Sequence, residues 1–132
     1  MRFGLVIGLL GILCGWLSDS ANAERLYAIR PLSGYACMSL NLTEQQLGDN
    51  SVIVPIFSKP SSTAQRVGEA SSIIIAVSPL REVNGYVEVL RLDGGSGWIA
   101  GQYVKPWRNP GNSGRSCVPS LMSNGTPGFA FK

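Results

Sequence analysis

The sequence predicts an all-β fold, a small barrel of short antiparallel strands, and three observations carry that expectation. Tyr86 to Leu92 is a run of apolar and β-branched residues, Asp93-Gly94-Gly95-Ser96 reverses the chain, and Gly97-Trp98-Ile99-Ala100 can pair back as a second strand. Two other short apolar runs, Val52 to Phe57 and Ile73 to Val77, stand between polar turn formers at the spacing of a strand-rich domain. Beyond Ala23 no segment keeps a helical period long enough to compete.

Taken in order, the chain opens with Arg2, an uncharged run from Phe3 to Leu17, polar Ser18-Asp19-Ser20, and Ala21-Asn22-Ala23 before Glu24. A cationic start, a short apolar core and a small-x-small ending are the order of a secretory signal. Residues 1–23 are therefore expected to be a leader cleaved after Ala23. The run is shorter than the roughly 20 apolar residues that a helix needs to cross a bilayer, so no stable membrane insertion is expected after cleavage. An uncleaved anchor, accommodated by slight bilayer thinning, is the alternative. Cys14 lies in this run behind Leu13, where a lipoprotein signal wants a small residue, and is read as discarded with the leader. The periplasm or the cell exterior is then the expected location.

Residues 24–51 read as an N-terminal extension. Pro31 and Gly34 interrupt its first part. Cys37 to Leu42 alternates weakly, as a strand or an extended arm. Thr43 is placed to cap a short helix with Gln46 reaching back, and Gly48-Asp49-Asn50 stops it.

Residues 52–107 read as the barrel. Val52 to Phe57 suits a strand that Pro55 keeps to an edge or an irregular position. Ser58 to Ala64 is a polar loop, and Gln65 to Glu69 resumes an extended course. Ile73 to Val77 is short enough to be a fully buried strand, ended by Pro79. Asn84-Gly85 marks a tight turn into Tyr86. Residues 108–132 read as a loop-rich tail of Gly, Pro and Ser with little to bury, tethered by Cys117. Phe129 and Phe131 near its end either dock locally on the domain or form a partner-binding end.

The net charge is +3, and the leader takes away one charge of each sign, Arg2 and Asp19. The basic residues are scattered, with only Lys105 and Arg108 close together. A nucleic-acid binder shows a basic stripe or run; none is present, and no nucleic-acid partner is expected. Past the leader two cysteines remain, Cys37 and Cys117. An even count in an exported chain favours a disulfide between them, with an intermolecular link as the alternative. The chain has no histidine, and no further cysteine is available to complete a metal shell, so no metal and no cofactor are expected.

Residues of about 52 to 107 resemble the bacterial SH3-like domain. The resemblance rests on Ser58-Lys59-Pro60-Ser61-Ser62 after an early strand, then Val67-Gly68, the strand Ile73 to Val77, Asn84-Gly85-Tyr86-Val87-Glu88-Val89, and Gly97-Trp98-Ile99 with Tyr103-Val104. It implies a barrel of antiparallel strands that serves as a targeting or binding module in exported and cell-wall proteins. The chain departs from that pattern at two places: the loop lacks the usual arginine and glycine, and Tyr86 stands where a tryptophan often follows Asn-Gly.

Without histidine, Cys-His and Ser-His catalysis is excluded. A carboxylate pair drawn from Glu69, Glu82, Glu88 and Asp93 remains conceivable, yet each is isolated in the sequence. The glycines around Gly94 lack the following helix and lysine of a phosphate loop. Surface recognition is what remains. Phe57, Tyr86, Trp98, Tyr103 and Trp107 are the candidate binding residues, because aromatic side chains give large contact area at low entropic cost. For Trp98 and Tyr103, filling or covering the core is the competing role. The loop Ser58 to Ala64 is placed to border the same groove. The expected partner is peptidoglycan peptide or an envelope protein, bound without catalysis. The rival readings are an accessory or inhibitory subunit of an envelope enzyme, a cell-wall enzyme, and a membrane-tethered module.

Overall fold

The computed structural model describes residues 25–109 and 114–132, and the expected leader lies outside them. The fold is all-β. Among the described residues eleven strands form two antiparallel sheets: β1 (Ala28–Pro31), β2 (Tyr35–Leu40), β3 (Pro55–Phe57), β4 (Arg66–Glu69), β5 (Ile73–Val77), β6 (Glu82–Val83), β7 (Tyr86–Leu90), β8 (Ser96–Ala100), β9 (Val104–Pro106), β10 (Cys117–Met122) and β11 (Pro127–Phe131). One short helix, α1 (Glu44–Leu47), follows β2. The main sheet runs β4-β3-β8-β7-β5-β2-β9, with β6 paired to β7, and the second runs β1-β10-β11.

Local sequence sets most of these elements. Thr43 Oγ1 accepts the Gln46 amide at 3.1 Å, and Gln46 Oε1 accepts the Thr43 amide at 2.9 Å. Each side chain thus satisfies a helix-end donor that the short helix leaves unpaired. Asn84 and Gly85 sit at φ 53° and 80°, the left-handed geometry that a two-residue hairpin turn demands. The turn sets β6 against β7 in the register Val83 to Tyr86 and Glu82 to Val87.

Strand alternation divides the main sheet into two faces. Ile56, Ile74, Ala76, Val87, Val89 and Ile99 meet Leu40 and Val54 in a single core. Gly97 also points inward, and a Cβ there would overlap Ile56 Cγ2. The glycine of the Gly-Trp pair is therefore needed for close packing and not for its turn. On the opposite face Cys37 pairs with Ile75, and Ile75 is nonetheless 1% exposed. It is buried because the second sheet lies over it: β10 packs on β2, and Cys37 is bonded to Cys117 across the two sheets.

Three expectations need correction. The barrel does not close, since β4 and β9 remain the two edges of the main sheet. At the β4 edge Arg91 Nη1 donates to the Val67 carbonyl at 2.8 Å, a side chain standing where a ladder bond would have been. The N-terminal extension is not an appendage, because β2 lies inside the main sheet between β5 and β9. The tail is not loop-rich throughout: β10 and β11 form a hairpin, and β1 adds to its other side. Ser123-Asn124-Gly125-Thr126 is the turn of that hairpin, with Gly125 at φ 86° and Asn124 Oδ1 accepting the Thr126 amide.

Candidate functional site

The candidate site lies on the outer face of β3, β8 and β7. Phe57 stands directly opposite Trp98, and Trp98 opposite Glu88, so all three side chains leave the sheet on the side away from Ile56, Ile99, Val87 and Val89. Tyr86, two residues before Glu88, shares that side. Its ring meets Phe57 edge-on, with centroids 6.0 Å apart and planes at 85°, the arrangement that sets a positive ring edge against a negative ring face. Trp98 is 8% exposed, while Phe57 and Tyr86 are half-buried.

Arg81 completes the cluster. Its guanidinium lies 5.6 Å from the Trp98 ring centroid, within cation–π range, and its Nη1 meets Glu88 Oε1 at 2.9 Å. The Glu88 amide also donates to the Arg81 carbonyl. The Asn84-Gly85 turn causes this pairing: from Val83 opposite Tyr86, stepping out two positions sets 81 against 88. Arg81 was legible in the sequence through that register, although aromatic content alone gave no reason to pick it. The loop after β3 borders the site, with Asn84 Nδ2 3.5 Å from the Pro60 carbonyl.

The structure does not bring the other two candidates here. Tyr103 belongs to a single 3-10 turn, Gly101–Tyr103, where its ring packs against the main core and its carbonyl accepts the Asn41 amide at 2.7 Å. Trp107 follows β9 and lies 6.2 Å from the ring of Phe131, which stacks with Phe129 at 6.5 Å. The terminal phenylalanines thus dock on their own domain. Trp107 and Phe131 line a separate cleft of about 590 Å³. Its apolar lining comes also from Leu40, Leu42, Leu47 and Ile73, and among the described residues Glu44, Lys105, Arg108 and Arg115 are the charged ones that line it.

Of the acidic residues weighed for catalysis, Glu69 and Asp93 line one cavity with Arg91. Glu88 is held by Arg81, and Asp93 lies 3.4 Å from Arg91. Among the described residues no group of three or more metal-ligating side chains converges. Asp49, next to α1, has its carboxyl held below the usual carboxylate range by the Ser51 hydroxyl and then the Ser51 amide. The disulfide fits an oxidising, exported setting, and no helix among the described residues is long and apolar enough to cross a membrane. Comparison of the chain with family models, curated proteins and solved structures finds no match.

Proposed function

We propose that this chain is an exported, non-catalytic binding module with an SH3-like scaffold, acting in the periplasm or outside the cell. Its outer aromatic face would hold an envelope component, the peptide of peptidoglycan in the first place. One observation carries the reading: Phe57, Tyr86 and Trp98 share a face, with the Arg81–Glu88 pair beside them. An extended ligand laid there would meet apolar ring surface together with one donor and one acceptor group of fixed position. The chain has no histidine, and Cys37 and Cys117 are joined to each other, so the nucleophile–base arrangements that depend on those residues are closed to it.

Chemical-shift mapping with soluble muropeptides tests the proposal. Perturbations should centre on Tyr86, the Trp98 indole and the Arg81 side chain, and Tyr86→Ala should weaken binding about tenfold, as loss of an aromatic anchor does. A spectrum unchanged at saturating muropeptide would overturn it. Retention of one envelope protein in pull-down, with purified sacculi leaving the chain unbound, would establish the accessory-subunit reading instead.

A further inference from the structure

We infer that the outer edge of the smaller sheet, at β1 and the residues leading into it, is a peripheral docking surface for an anionic bilayer. Among the described residues eight large apolar side chains are exposed, and three of them fall within four positions: Leu26 at 57%, Tyr27 at 63% and Ile29 at 55%. All four residues of β1 are exposed as well, so the strand gives neither of its sides to a core. Fraying is not the cause. The Tyr27 amide donates to Ser123 Oγ at 3.2 Å, and its carbonyl accepts the Ser123 amide at 2.8 Å. The backbone is pinned while the side chains stand in water, and apolar surface clustered in this way marks a contact site.

Charge and edge chemistry select the occupant. Arg25 and Arg30 flank the three side chains, and among the described residues neither makes an ion pair. Glu24 precedes Arg25 outside those residues, so Arg30, held within β1, is the cation of fixed place. Every Asp and Glu among the described residues lies between Glu44 and Asp93, and β1, β10 and β11 carry none. A second copy or a peptide strand would have to continue the ladder from β1, and that edge is blunted. Its register shifts between Ala28 and Arg30, and Pro31 has no amide to give. A bilayer needs no ladder. Leucine and isoleucine enter the acyl boundary, tyrosine sits at headgroup level, and arginine keeps its charged end among the lipid phosphates. The aromatic face on β3, β8 and β7 belongs to the other sheet, so the two sites are independent.

The test is flotation of the exported chain with large vesicles of phosphatidylcholine, alone or mixed equally with phosphatidylglycerol. The expected result is saturable binding to the mixed vesicles, at least about tenfold weaker without phosphatidylglycerol and lost at about 0.5 M salt. The triple variant Leu26→Ser/Tyr27→Ser/Ile29→Ser should weaken it about tenfold or more, and Arg30→Gln about threefold. The variants Leu80→Ser/Leu92→Ser and Arg66→Gln, at exposed positions in other segments, should stay within about twofold of the parent. An unchanged Trp98 indole signal would confirm that each variant is folded. Anchoring by residues 1–23 would survive in the triple variant, so binding retained there overturns the inference. Equal binding without phosphatidylglycerol overturns it too, as does no flotation at about 5 mM lipid. A concentration-dependent dimer that the triple variant abolishes, with vesicles left unbound, would make a second copy the occupant instead. Failure here leaves the muropeptide experiment untouched, and the reverse also holds.

Discussion

Gly97 shows how much rests on single side chains in a core this small. A methyl group there would collide with Ile56 Cγ2, and beyond it lies the Phe57 carbonyl at 3.4 Å, so the strand cannot move aside freely. Gly97→Ala should cost about 1–3 kcal/mol, the usual range for overpacking, read as a lowered urea midpoint at unchanged slope. A midpoint within error of the parent would show that β3 and β8 are further apart than described. Arg81 is the opposite case. Its pair with Glu88 is largely solvated, at 61% side-chain exposure for the arginine, so Arg81→Ala should change stability by less than about 1 kcal/mol. The same variant should weaken muropeptide binding, and a stability loss without a binding loss would make Arg81 merely structural. Asp49 offers a pH marker. Ser51 donates to its ionised form, which lowers the folded pKa. The associated stability is complete above the unfolded value and disappears as pH falls through the folded one. An NMR titration should place the Asp49 midpoint below that of a free aspartate; an ordinary midpoint would mean that the Ser51 turn is not formed.

Individual elements were legible where a local rule decides the conformation. Thr43 with Gln46 spelled the start of α1, Asn84-Gly85 spelled the turn between β6 and β7, and Ile73 to Val77 spelled a buried strand. The C-terminal hairpin escaped because its strands break such rules. β10 is the middle strand of its sheet and yet contains Pro119, which has no amide to give to a ladder. That position is supported from the carbonyl side, where Pro119 accepts the Leu32 amide at 2.8 Å. β11 opens with Pro127 and Gly128, residues that read as loop. Of the candidate aromatics, Phe57, Tyr86 and Trp98 converge through strand register, which alternation and the two turns prescribe. Trp107 falls elsewhere because its neighbours come from the hairpin that the sequence hid. The element that holds the sheets together is the Cys37–Cys117 bond, spanning 80 residues. In the chain-entropy model a loop of that length is worth about 4 kcal/mol, so the double variant Cys37→Ser/Cys117→Ser should lose stability of that order. Hydrogen exchange should show β1, β10 and β11 opening before β7 and β8. Simultaneous opening of both sheets would argue that Ile75 and its neighbours, and not the bond, dominate the junction.

For the molecule as a whole, the two sheets divide the work. The main sheet wraps one core and presents the aromatic face, while the smaller sheet covers Ile75 and forms one wall of the cleft. The connectivity has a temporal consequence. β1 is made near the start of the described chain, yet its strand partner among the described residues is β10, near their end; Cys37 likewise waits for Cys117. A polypeptide made N-terminus first must therefore carry the unpaired backbone of β1, and the unpaired thiol of Cys37, through most of its synthesis before a mate arrives. Chains cut short before Ser116 should label at Cys37 with a maleimide, whereas finished ones should not. Assembly of this fold is thus sealed by β10, and an interruption before Cys117 leaves both β1 and Cys37 unclaimed.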